Sequence, residues 1–136
     1  MDNFIIEREM AEQEFYRFTH TMDLDVDESS MNQEDLEGFK QQKEKIIRAI
    51  QTGSVIINEA GEPVFTPRRT DGAPAIIFHE PDGAALMAMD RRKAQESIAK
   101  LYAAMAEITK VPAKTFANMK MPDLKICIAI VTLFLA

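Results

Sequence analysis

The residues best spaced for chemistry lie in "DLDVDESSMNQE" (23–34). Counted as a calcium loop, Asp23, Asp25 and Asp27 take positions 1, 3 and 5, and Glu34 takes position 12. Four oxygen ligands at that spacing suit a hard cation. Against this, position 6 must turn sharply and is normally glycine, and here it is Glu28. Ser30 stands at position 8, where a paired loop needs an apolar residue, so the segment reads better as an acidic connector feeding a capped helix. The two histidines, His20 and His79, do not supply the three or four converging ligands of a metal site. A nucleophile pair of Cys127 with His79 has the right atoms. Yet the cysteine sits in an apolar run that would raise its pKa and blunt the thiolate. Arg68-Arg69 and Arg91-Arg92-Lys93 are basic clusters with no interleaved aromatic residue, in a chain of net charge −6. They argue for solvated loop and helix ends, not for nucleic-acid binding. No glycine pattern matches a phosphate loop or a dinucleotide fingerprint. The expectation is a protein that is not an enzyme and has no cofactor, no metal and no nucleic-acid partner.

The elements that must position these residues follow from periodicity. Ala11, Phe15, Phe18 and Met22 form one stripe of a first helix over 4–22. Ser30 with Gln33 matches a capping box, and Leu36, Phe39, Ile46, Ile47 and Ile50 carry a second helix that Gly53 ends in the left-handed conformation. "SVIINEAGEPVFT" (54–66) predicts a hairpin around Glu59-Ala60-Gly61-Glu62, with Pro63 placing its second strand on an edge. "AIIFHE" (75–80) predicts a third strand. Helix resumes after Gly83, with Asp90 as a cap or a bend, and Ala94, Ile98, Leu101, Tyr102, Met105 and Ile108 follow helical spacing. A short helix over 113–119 precedes a final one with Pro122 in its first turn. The fold class is α+β: a mainly helical small domain with a β-hairpin and a third short antiparallel strand. One domain spans 1–136, with an N-terminal helix and acidic connector over 1–30 and a main body over 31–136.

Charge is uneven along the chain. Residues 1–62 hold 15 acidic and 6 basic side chains, whereas 63–136 hold 7 and 10. Such asymmetry favours head-to-tail self-association or a charged partner, unless the acidic half is simply solvated. One cysteine fits a reducing cytoplasm, "MDNFIIEREM" is acidic where a secretory signal is basic, and the apolar run at 126–136 is too short to span a bilayer. Nine methionines without tryptophan suit surfaces that accept variable partners, or core filling. In the last helix Leu124, Ile128, Val131 and Leu135 form one stripe, and Ile126, Ile130 and Phe134 another. A helix apolar on both sides must be sandwiched inside its own domain or covered by another chain. The partner-binding residues expected on this reasoning are Met105, Met119, Leu124, Ile128, Val131 and Leu135.

Three stretches together resemble the tail assembly chaperones of long-tailed (lambda-like) phages and prophages: "FKQQKEKIIRAIQTGSVIINEAGEPVFTP" (39–67), "IIFHEPDGAALMAMDRRK" (76–93) and "KMPDLKICIAIVTLFL" (120–135). They are an amphipathic helix running into a hairpin with a Gly-Glu-Pro-Val turn, a strand with a Pro-x-Gly turn and a Met-x-Met-Asp helix, and an aspartate-opened helix ending in Phe-Leu. The match covers residues 39–135 and rests on patterns of fold, not of chemistry. The resemblance implies a non-catalytic chaperone that holds the tape measure protein while the tail tube polymerises, in the cytoplasm of a bacterial host. It also implies a homo-oligomer, with a frameshifted longer form and the tail tube protein as further partners, and no membrane. It transfers no individual functional residue. The alternative is a structural tail or head-completion protein retained in the virion.

Overall fold

A computed structural model describes residues 4–24, 26–69, 73–90 and 97–135. Helix α1 (Arg8–Thr21) buries Ala11, Phe15 and Phe18, and Met22 is buried just after its end, as the spacing of four, three and four requires. Helix α2 (Gln33–Thr52) starts two residues later than the capping-box reading places it. The side chain of Asn32 accepts the Asp35 amide at 2.8 Å, while Ser30 closes a 3₁₀ turn, Glu28–Ser30. Asp27 nucleates that turn by accepting both the amide and the hydroxyl of Ser29, at 3.1 and 2.6 Å, so the chain becomes helical only beyond it. At the other end Gly53 adopts φ 83° and donates its amide to the Ile50 carbonyl. A side chain there would be strained and would meet Ile5 at 2.7 Å.

Strands β1 (Val55–Ile57), β2 (Pro63–Phe65) and β3 (Ile76–Ile77) form an antiparallel sheet in the order β1-β2-β3. The hairpin turn is built by Asn58, whose side chain accepts the amides of Ala60 and Glu62 at 3.0 and 2.9 Å, with Gly61 at φ 80°. The second hairpin strand is central, not an edge. Pro63 is tolerated as its first residue, where its carbonyl accepts the Phe78 amide at 2.9 Å but no N–H returns the bond. The ladder therefore stops at Ile77, and β3 is shorter than the 75–80 expected. The His79 amide turns instead to the Ile108 carbonyl, at 3.3 Å. On the far side of β1, the Arg17 guanidinium donates to the carbonyls of Ile57 and Asn58 at 2.7 and 2.8 Å. That contact closes part of an edge which would otherwise offer unpaired acceptors.

Helices α3 (Gly83–Asp90) and α4 (Ser97–Thr109) pack on each other, and α5 (Ala113–Ala117) is a short turn before α6 (Met121–Leu135). Ala94 and the Arg91-Arg92-Lys93 cluster lie outside the described residues, as does Asp25. The two-faced apolarity of α6 is met within the domain: the helix packs against both α2 and α4 and buries Leu124, Cys127, Ile130, Val131, Leu133 and Phe134. Phe134 stands edge-on to Phe18 at 5.5 Å between ring centres, and Phe18 edge-on to Phe15 at 6.3 Å. The fold is thus α+β and mainly helical, with one apolar core shared by α1, α2, the sheet, α4 and α6.

Candidate functional site: a basic groove at the end of α2

Among the described residues singled out for chemistry, His20 and Asp23 line one cavity, and the others stand in separate places. Asp27 is engaged with Ser29, and among the described residues no group of three or more His, Cys, Asp or Glu side chains is placed to hold a metal ion. His79 Nδ1 lies 2.7 Å from Glu62 Oε2. The Asn58 amide and His79 hold the Glu62 carboxyl below its ordinary range. Cys127 is buried with its sulfur 3.7 Å from that of Met119, and burial, with the Asp123 charge second, pushes its thiol up. His20 lines a small cavity of about 270 Å³ with Tyr16, Asp23 and Leu24.

The residues expected to form a docking face on the last helices are mostly buried. Met105, Met119, Leu124 and Val131 are buried core residues, and Ile128 and Leu135 are half-buried and packed on that core. Their stripes are spent on holding the domain together, so in the folded chain they present no continuous free face. Large exposed apolar side chains occur elsewhere. Leu86 and Met87 on α3 and Ile98 on α4 are 63%, 61% and 60% exposed. Phe4, Ile5 and Met10 are exposed at the N-terminal side, around a concavity of about 520 Å³ that Gln51 also lines.

The most organised surface is built where four segments meet at the C-terminal end of α2. The last carbonyls of that helix need donors from outside it. The amides of Ile5 and Ile6 reach the Gln51 carbonyl at 2.6 and 3.3 Å, and the Arg68 guanidinium reaches the Thr52 carbonyl. From the first turn of α6, buried Asp123 accepts the backbone amides of Arg68 and Arg69 at 3.1 and 2.8 Å. It thereby fixes the segment after β2 against the start of α6. Between α2 and α6 runs a groove of about 270 Å³ lined by Lys45, Arg48, Ala49, Thr52, Pro122, Lys125 and Ile126. Its floor is apolar, its rim carries three cations, and no carboxylate lines it. The nearby Glu44 is engaged by Arg8 in a two-point pair, at 2.9 and 2.5 Å, which holds the Glu44 carboxyl down. Such a groove suits an anionic segment carrying an apolar side chain.

Sequence reasoning named Arg68-Arg69 but missed Lys45, Arg48 and Lys125. The partial signal was there: Lys45, Arg48 and Thr52 fall at i, i+3 and i+7 on one helical face. Only the packing of α6 on α2 adds Lys125 to it.

No protein-family model, curated protein or solved structure matches this chain. No helix among the described residues is long and apolar enough to cross a membrane.

Proposed function

We propose that the protein is a non-catalytic tail assembly chaperone of a long-tailed phage or prophage, acting in the bacterial cytoplasm to hold the tape measure protein. The reading rests on the three stretches over 39–135 that resemble that family. The observation that carries it in the fold is the exposure of Leu86, Met87 and Ile98 on the α3–α4 pair. Apolar side chains left in solvent, with the unbranched and flexible Met87 among them, suit a long helical client whose exact sequence varies along its length. The contact surface is assigned to these residues in place of the buried Met105, Met119, Leu124 and Val131.

Co-expression with a tape measure protein of a long-tailed phage tests it. The wild type should co-purify with it, and L86D/M87D/I98D should not, while circular dichroism stays native. Binding that survives the triple substitution moves the surface elsewhere. Failure of the wild type to bind, or its presence in purified virions by mass spectrometry, overturns the chaperone reading, the latter in favour of a retained structural protein.

A further inference from the structure

We infer that the α2–α6 groove docks an acidic segment of another protein, one that carries an apolar side chain among its carboxylates. The inference does not rest on the tape measure reading, whose surface is the α3–α4 pair. The groove is charged by Lys45 on α2 and Lys125 on α6, both exposed, and neither has a carboxylate partner among the described residues. Arg48, between them, is already engaged: its guanidinium lies 6.0 Å from the Phe4 ring and its charge acts on Glu44. The docking charge does not draw on it. Arg68 adds a cation at the Thr52 end, where its guanidinium donates to the Thr52 carbonyl. A carbonyl has no net charge and does not cancel that cation.

The floor decides what lies between these charges. Buried Ala49, with Pro122 and half-buried Ile126, makes an apolar recess with room for an aliphatic side chain. Its walls are preformed, because α2 and α6 pack on each other and Asp123 pins the segment after β2 to the first turn of α6. A preformed recess lowers the cost of ordering on binding. No aromatic ring lines it, so it offers no platform for a nucleic-acid base. It is concave, whereas a lipid surface is met by apolar groups that protrude. Carboxylates spaced to reach Lys45 and Lys125, with a leucine-like side chain between them, complement both its charge and its shape. The contact is small and its cations are exposed, so it is weak and sensitive to salt.

Fluorescence anisotropy of the full chain with a fluorescein-labelled peptide of glutamates around two leucines is the test. The wild type should bind it, with affinity falling about tenfold or more between about 50 and 500 mM NaCl. K45E/K125E should weaken binding at least about tenfold and K45Q/K125Q about threefold. Circular dichroism should stay native in both, since the two positions are exposed. K40E/K114E makes the same change of net charge at exposed lysines outside the groove and should bind as the wild type does. Replacing the leucines of the peptide with serine should weaken binding about fivefold. A wild type that does not bind overturns the proposal, as does an equal loss in K40E/K114E or a serine peptide that binds as well. Competition assigns the occupant. Phosphatidylglycerol vesicles or single-stranded DNA that displace the peptide at lower charge concentration overturn the proposal in favour of a membrane or a nucleic acid. Self-assembly of the wild type that K45E/K125E alone abolishes, read by sedimentation velocity, overturns it in favour of a second copy.

Discussion

Removing the Asp123 carboxylate should release the segment after β2 from α6 and lower the stability of the whole domain. The side chain is 2% exposed and accepts two backbone amides, Arg68 at 3.1 Å and Arg69 at 2.8 Å. A hydrogen bond to a charged group contributes about 1.5–3 kcal/mol. Arg68 and Arg69 are exposed residues, so water can partly replace the lost acceptor and the lower figure applies to each bond. Asp123 also lies in the first turn of α6, where a negative charge favours the helix by about 0.3–1 kcal/mol. D123A should therefore cost about 3.5 kcal/mol, or about 10–15 °C in Tm for a domain of this size. D123N keeps one acceptor oxygen but turns an NH₂ group toward the second amide, and should cost about 2 kcal/mol. Urea unfolding followed by circular dichroism gives the global value. Amide exchange read by NMR gives the local one: protection should fall first at Arg68 and Arg69. A D123A variant within about 0.5 kcal/mol of wild type, or unchanged exchange at those two amides, refutes the argument that this carboxylate fixes the segment.

G61A places a Cβ in the left-handed region, 2.6–2.9 Å from the Thr21 side chain, and should cost about 2 kcal/mol in urea unfolding. Cys127 is buried and its thiol pushed up, so a thiol reagent at mildly alkaline pH should label it only in denaturant; rapid labelling of the native protein would contradict the packing of α6. The Glu62 carboxyl is held down by Asn58 and then by His79. A depressed carboxylate contributes stability above its unfolded pKa and loses it as pH falls through the folded one. Unfolding free energy should thus fall as pH drops below the ordinary carboxylate range, and E62Q, measured over the same pH series, should be less stable at neutral pH and show a shallower fall.

The helices were legible because their apolar residues repeat at helical spacing and that face is also the buried one: Phe15 and Phe18 in α1, Ile46, Ile47 and Ile50 in α2. Gly53 and the hairpin around Glu59-Ala60-Gly61-Glu62 were legible because glycine holds a positive φ where other residues are strained; the part of Asn58 was not. Helix starts were less so. Ser30 and Asn32 are both good caps, and the choice between them was made by Asp27, which captures an earlier turn. The place of Pro63 depended on which strands paired, and an isolated proline cannot report that. For α6 the sequence required a cover without saying whose. The groove needed residues 77 or more positions apart, Arg48 and Lys125, to meet across a helix interface that no local pattern encodes.

The ring of Phe134, near the end of α6, against that of Phe18 in α1 has a bearing on when this chain can fold. The first and last helices share one core, so a growing polypeptide lacking α6 lacks the ring that packs on Phe18. Completing that core means closing a loop more than a hundred residues long, from Phe18 to Phe134, a non-local contact of the kind that slows folding.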